Sequence, residues 1–246
     1  MQIFEHSETI RTHEADAFGR CRPDALFRMM QEVAGEHSAH LGISRADLLE
    51  RFNAVWMIAR VQLVIDRVPQ LYDTLHIKTW YGVAERITYP RYLELYDDQG
   101  ARVAAFAASW VVADIEERRI LPPGKVHLPF PPPAELAPPL PEPGRIRIKQ
   151  AGAAETHFRA PQYSDVDVNG HMNNASYVTW ILDLFPVSYH STHRIQSLMV
   201  GYSAEAKAGE LVEMTLYRDG DAFEIIGIDK TDKRTIFEAQ GAFTAI

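Results

Sequence analysis

The chain has 246 residues, a formal net charge of −8, 46% hydrophobic residues and one cysteine, Cys21. The negative charge argues against nucleic acid as a partner, since nucleic acid is bound through clustered Lys and Arg. A single cysteine excludes an internal disulfide and a multi-cysteine metal site. No apolar run approaches the ~20 residues of a membrane span. The polar, acidic N-terminus lacks signal-peptide features, so we expect a cytoplasmic protein.

The first half of the chain predicts one strand, a long helix and four further strands. The helix is expected over Pro23–His40, because Pro23 and Asp24 suit a helix start and Gly42 suits a helix end. Asp97–Gly100 has the composition of a hairpin turn. The strands are predicted at residues 3–12, 55–65, 75–83, 88–96 and 103–115.

A proline-rich segment divides the chain. Ten of the fifteen prolines lie between Leu121 and Gly144. Such a run cannot continue a helix or form a central strand, so it predicts a stiff, extended connector. The predicted division is residues 1–120, a linker over 121–149 and residues 150–246.

The second half repeats the order of the first. A strand at 155–159 and a helix at 174–184 are followed by strands at 197–204, 211–218, 223–230 and 235–245. A shift of 151 residues superposes Asp16 on Asp167 and Gly19 on Gly170. A helix followed by an antiparallel sheet, repeated once, predicts a tandem α+β fold in which each sheet wraps around its helix.

The segment before the second helix has the side chains of a catalytic site. Four polar residues alternate with valine or glycine: Asp165, Asp167, Asn169 and His171. In an extended backbone, alternate side chains point to the same face, so an extended segment would bring them together. The amides at the start of the following helix would face the same place. A plain Asx-rich helix cap is the competing interpretation.

The string from Asp167 through Asn174, followed by Tyr177 and Asp183, resembles the active-site signature of acyl-acyl carrier protein thioesterases. That family carries two hot-dog units in one chain, each a long helix wrapped by an antiparallel sheet. The resemblance covers nearly the whole chain. It implies a thiolester hydrolase of fatty acid biosynthesis that releases free fatty acid from acyl carrier protein.

The resemblance also implies a further catalytic carboxylate in a Tyr-x-x-Glu context, which here is Glu205 after Tyr202. Plant members often have a cysteine at the next position, where this chain has Ala206. In the first half, Phe18 and Arg20 stand opposite Asn169 and His171. We therefore expect one active site per chain, with the degenerate first unit supplying the acyl-chain cavity, as the resemblance implies.

The predicted chemistry is attack by water on the thioester. The chain has no Gly-x-Ser-x-Gly nucleophile motif. No metal or cofactor is expected, because Asp167, Asn169 and His171 are a poor ligand set. We expect Glu205 and His171 to activate the water and Asn169 to contact the carbonyl or orient the imidazole. Amides near Gly170 would stabilise the oxyanion. Asp167 would orient its neighbours or act on the acyl carbon.

Three other functions compete with this prediction. An acyl-CoA thioesterase uses the same fold, and an enoyl-thioester dehydratase also combines a histidine with a carboxylate on it. A non-catalytic acyl-carrier-binding module would not need all four site residues. Whether two chains form a homodimer stays open. An acidic carrier would suit a cationic docking patch. Solvated strand ends explain the candidate residues equally well; these are Arg86, Arg91, Arg118, Arg119 and Lys125.

Overall fold

The computed structural model describes residues 2–117, 119–132, 134–168 and 170–246. These residues form two compact units. The first contains residues 1–22 and 28–143, and the second contains residues 23–27 and 144–246. Arg118 and Asn169, both named in the sequence predictions, lie outside the described residues.

The first unit is built on a five-stranded antiparallel sheet. The strand order is β1-β3-β4-β5-β2, and a two-residue strand, β6, pairs with β5. The elements are β1 Ile3–Thr9, α1 Pro23–His40, α2 Arg45–Phe52, β2 Ala54–Ile65, β3 Thr74–Tyr81, β4 Tyr89–Tyr96, β5 Arg102–Asp114 and β6 Ile120–Leu121. Of α1, residues 28–40 belong to this unit.

The second unit has the same strand order, β7-β9-β10-β11-β8 when read from its first strand. Its elements are β7 Ala153–Arg159, α3 Asn174–Leu182, α4 Val187–His190, β8 His193–Tyr202, β9 Val212–Asp219, β10 Ala222–Asp229 and β11 Thr235–Ala245. The predicted repeat is therefore confirmed at the level of topology. No helix among the described residues is long and apolar enough to cross a membrane.

The predicted helix over Pro23–His40 and the last strand have the predicted bounds. The first strand ends at Thr9 instead of residue 12, because Thr12–Glu14 forms a 3-10 turn. The helix α3 ends two residues early, since Pro186 prevents its continuation. The helix α2 was not predicted, although Ser44 and Asp47 form a capping box at its start, in which the side chain of each accepts from the backbone N–H of the other.

The proline-rich segment packs on the first unit. The ring of Phe130 lies 4.6 Å from that of Tyr81, and Arg60 Nε donates to the carbonyl of Pro143 at 3.0 Å. Ser109 Oγ donates to Glu142 Oε1 at 2.8 Å. The segment is thus held along the strands of this unit through aromatic packing and hydrogen bonds. The predicted domain boundaries stay a prediction.

The core of the first unit contains a fully buried arginine, Arg91, which is 1% exposed. It was a candidate for the docking patch, and burial makes that prediction wrong for this residue. Its guanidinium donates to Ser38 Oγ at 3.2 Å and Thr79 Oγ1 at 3.1 Å, and lies 3.2 Å from His37 Nδ1. It also stacks 3.8 Å above the Tyr81 ring.

No carboxylate among the described residues pairs with Arg91, and its Nε has no hydrogen-bond partner there. Desolvation lowers the pKa of Arg91 from its usual value. The charge is instead dispersed over neutral oxygens, an imidazole and an aromatic face. This network joins the C-terminal half of α1 to β3 and β4.

We expect Arg91→Lys to lower the free energy of unfolding by about 2–4 kcal/mol, because an ammonium keeps the charge but cannot reach three separated partners or stack on Tyr81. Urea denaturation measures this change. Arg67→Lys is the matched control: Arg67 is half exposed, and its replacement is expected to leave the denaturation midpoint unchanged. Equal midpoints for both variants would contradict the structural role of Arg91.

Candidate active site

The segment before α3 is a tight loop. A 3-10 turn over Tyr163–Asp165 leads into a loop closed by two backbone hydrogen bonds, from Asp167 N–H to the His171 carbonyl at 2.9 Å and from Gly170 N–H to the Asp167 carbonyl at 3.0 Å. Gly170 has a φ of +75°, which a residue without Cβ adopts at little cost. The segment is therefore a turn and not the extended strand whose alternation would bring the four polar side chains to one face.

The loop gives Asp165 a structural role. Its carboxylate accepts from the N–H of Gln162 at 2.9 Å, and its carbonyl accepts from the N–H of Asn173 at 2.8 Å. Asp165 thus caps the 3-10 turn and anchors the residue before α3. The alternation pattern had grouped it with the catalytic side chains because it assumed an extended strand.

The structure brings His171 and Glu205 together. His171 Nδ1 lies 2.9 Å from Glu205 Oε1, and their side chains are 49% and 39% exposed. The partial exposure means that water and a substrate can reach the imidazole. The pair joins the loop before α3 to a residue 34 positions later, so only the fold brings it together.

Glu205 lies just beyond the end of β8. The N–H groups of Ser203 and Ala204 both donate to the carbonyl of Ile236, at 2.9 and 3.1 Å. They end the regular pairing of the strand and turn the chain toward the loop. Ala206, the residue after Glu205, is buried. No thiol is available there.

Asp167 is half-buried and is bonded to His171 through the backbone. The structure therefore places Asp167, His171 and Glu205 in one region and describes a direct side-chain contact between the last two. The catalytic roles expected for Asp167 and Asn169 stay predictions.

Several backbone amides near the site already have acceptors. Gly170 N–H donates to Asp167, and the N–H groups of Ala175 and Ser176 donate to the side chain and the carbonyl of Asn173. Asn173 is the N-cap of α3. The Gly170 amide thus closes the loop, and the oxyanion role expected for the amides near Gly170 and the helix start stays a prediction.

The first unit contains the same loop with different side chains. Asp16 N–H donates to the Arg20 carbonyl at 2.7 Å, Gly19 N–H donates to Asp16, and Gly19 has a φ of +77°. Arg20, at the position equivalent to His171, makes an ion pair of 2.8 Å with Asp16. This loop retains its backbone shape but has a guanidinium group in place of the imidazole.

In the part of the chain that the structure describes, no cluster of three or more His, Cys, Asp or Glu has the arrangement of a metal site. His171 and Glu205 are two ligand-type side chains bonded to each other. Their contact is that of an imidazole oriented by a carboxylate.

The sequence did not indicate two of the residues that contact the Glu205 segment. Tyr177 Oη accepts from the N–H of Ala206 at 3.0 Å, and Arg234 Nη2 donates to the carbonyl of Glu205 at 3.2 Å. Tyr177 was noted only as part of the motif. For Arg234 the sequence has no signal, since it lies 29 residues from Glu205.

Solved structures share this fold over the full chain. An acyl-ACP thioesterase from Bacteroides thetaiotaomicron VPI-5482 superposes with a TM-score of 0.88 at 22% identity, covering 99% of this chain and 98% of that one. The 12:0-ACP thioesterase from Umbellularia californica gives 0.83 at 18% identity, covering 100% and 98%. The predicted α+β class, with two tandem hot-dog units, is confirmed.

Family models cover most of the sequence. Residues 1–123 match the acyl-ACP thioesterase N-terminal domain, and residues 148–239 match the C-terminal domain. The chain belongs to the acyl-ACP thioesterase family, a family of thioester hydrolases.

Curated relatives are plant enzymes. A chloroplastic palmitoyl-acyl carrier protein thioesterase from Gossypium hirsutum is 25% identical over 92% of this chain and 58% of its own length. A chloroplastic oleoyl-acyl carrier protein thioesterase from Coriandrum sativum is 26% identical over 83% and 59%. The chain thus spans less than two thirds of the length of these relatives.

We expect Gly170→Ala to lower the free energy of unfolding by about 1–2 kcal/mol, because the loop requires a left-handed backbone there. No atom lies within 4 Å of the added Cβ, so the cost comes from the backbone alone. Gly19→Ala is expected to cost the same. Gly144→Ala, which has open space and no positive φ, is the control. Thermal and urea denaturation measure the stability of the three variants. Equal stabilities of all three would contradict the left-handed backbone assigned to the two loops.

Proposed function

We propose that this chain hydrolyses fatty acyl thioesters of acyl carrier protein to free fatty acid and the carrier thiol. The observation that carries the proposal is the 2.9 Å contact between His171 Nδ1 and Glu205 Oε1 on a half-exposed pair. Membership of the acyl-ACP thioesterase family supports the same reaction class. The names of the curated relatives support acyl carrier protein as the partner that delivers the substrate.

The geometry suits water activation. When Nδ1–H donates to Glu205, the lone pair of the imidazole is on Nε2, which makes no hydrogen bond to a described residue. Nε2 then takes a proton from water as the water oxygen attacks the thioester carbon. The tetrahedral intermediate collapses by breaking the C–S bond, and the imidazolium returns its proton to the leaving thiolate. The products are a carboxylic acid and a thiol.

The remaining groups act on the carbonyl. We assign the substrate contact to the Asn169 side chain, because the Gly170 amide is used inside the loop. The backbone of Asp167 closes the loop through its bonds to Gly170 and His171, and we assign to its carboxylate the role of orienting Asn169 and His171. A preorganised donor to the developing oxyanion typically contributes about 10²–10³ in rate. The cytoplasmic location stays a prediction, and whether two chains form a homodimer stays open.

The rival function is hydrolysis of acyl-CoA. Both reactions break the same thioester bond, so the catalytic pair does not distinguish them. The carrier distinguishes the two reactions, because a protein carrier presents its thioester from a folded surface, whereas CoA presents it from a nucleotide. The alternative of a non-catalytic acyl-carrier-binding module predicts binding without thiol release.

The test is a panel of dodecanoyl, palmitoyl and oleoyl thioesters, each on acyl carrier protein and on CoA, with thiol release as the readout. These chains appear in the names of the relatives. We expect faster turnover on the carrier protein. His171→Ala and Glu205→Gln are expected to lower kcat by at least ~10²-fold, the usual contribution of general acid–base groups.

The matched control is Asp16→Asn, which changes the equivalent loop of the first unit and is expected to leave kcat unchanged. Asp167→Asn makes the same chemical change in the second unit and is expected to lower kcat. Preference for CoA would move the chain to the rival function. Full activity in the His171 or Glu205 variant would refute the catalytic pair.

A further inference from the structure

One peptide group beside the catalytic carboxylate is held from both of its edges. The carbonyl of Glu205 accepts from Arg234 Nη2 at 3.2 Å, and the N–H of Ala206 donates to Tyr177 Oη at 3.0 Å. These two atoms belong to the same planar peptide bond. Its orientation is therefore restrained, and with it the position of the Glu205 Cα, which lies in the same plane.

Arg234 is itself held in place. Its guanidinium pairs with the carboxylates of Glu210 and Asp232. Glu210 also accepts from the N–H of Lys207 at 2.8 Å. The hydrogen bond to Glu210 contributes most to raising the pKa of Arg234 above its usual value. A closed ring of polar contacts thus spans the segment from Glu205 to Glu210.

Tyr177 holds the other edge from inside the core. Its ring packs edge-to-face against Phe237 at 5.2 Å and Tyr202 at 5.5 Å, and it is 3% exposed. Burial raises the pKa of Tyr177 to about 12, so its hydroxyl stays neutral at physiological pH. Ala206 is buried as well, and its N–H would lose its acceptor without this hydroxyl.

The contact between His171 and Glu205 needs this support. Residues 203–211 contain no helix or strand, and a half-exposed contact between two side chains contributes little toward ordering such a segment. The carboxylate must nevertheless stay within hydrogen-bond distance of the imidazole if it is to orient it. Holding the backbone of Glu205 in place keeps its carboxylate near the imidazole without any contact to the reacting atoms.

We propose that Tyr177 and Arg234 are positioning residues for the catalytic Glu205. The two side chains hold the Glu205–Ala206 peptide from opposite edges, and Glu210 holds Arg234. The inference rests on the proposed function for its kinetic consequences, whereas the positioning itself is a geometric claim. It predicts that loss of either side chain moves the carboxylate away from His171.

The kinetic test uses Tyr177→Phe and Arg234→Gln. We expect kcat to fall roughly 10- to 100-fold with little change in KM, since small displacements of catalytic groups cost rates of this order. The controls are Tyr217→Phe on β9 and Arg159→Gln, which removes an ion pair with Asp183. Both controls are expected to keep the kcat of the parent protein.

A double-mutant cycle separates positioning from general loss of structure. If Tyr177 and Arg234 act through Glu205, their replacement has no further effect on kcat once Glu205→Gln is present. An equal fall in kcat in both backgrounds would overturn the proposal. A rise in KM at constant kcat would also overturn it. Thermal denaturation of each variant confirms that the fold is retained at the assay temperature.

Crystal structures of the two variants test the geometric claim independently of any activity measurement. We expect the separation between His171 Nδ1 and Glu205 Oε1 to exceed hydrogen-bond distance in both. An unchanged contact would refute positioning. If the parent protein hydrolyses no thioester, the proposed function fails, and these structures still decide whether Tyr177 and Arg234 position Glu205.

Discussion

The contact between His171 and Glu205 is the constraint on which the candidate site depends. The two residues come from segments that have no sequence proximity, one in a loop before a helix and one beyond the end of a strand. Each segment must therefore hold its backbone independently. The loop does so through Gly170 and its two internal hydrogen bonds, and the strand end does so through Ile236, Tyr177 and Arg234.

The duplicated loop shows that backbone shape and chemistry are separable in this fold. Gly19 and Gly170 adopt the same left-handed conformation, and both loops close with equivalent hydrogen bonds. The loops differ in their side chains: Phe18 stands opposite Asn169, and Arg20, which is paired with Asp16, stands opposite His171, which contacts Glu205. An arginine cannot accept a proton from water, so of the two side chains only the imidazole of the second loop has the chemistry of a base.

The sequence predicted the repeat and most strands, because hydrophobic periodicity and turn residues are local signals. The helix Pro23–His40 carried a proline at its start and a glycine beyond its end, and its bounds were right. The shape of the loop around Asp167 did not follow from the alternation of polar residues, which brings side chains together only in an extended backbone, and Gly170 was the local signal for a turn. The burial of Arg91 and the bonds of Tyr177 and Arg234 depend on pairings across the fold, which single-sequence patterns do not encode.

The central claim is that water, oriented by the His171–Glu205 pair, attacks the thioester directly. A single turnover with excess enzyme in water enriched in ¹⁸O tests it, followed by mass analysis of the fatty acid and of the peptides that contain Asp167 and Glu205. Direct attack predicts one ¹⁸O atom in the fatty acid and none in either peptide. Label in the Asp167 or Glu205 carboxylate would show an acyl-enzyme anhydride and contradict the account.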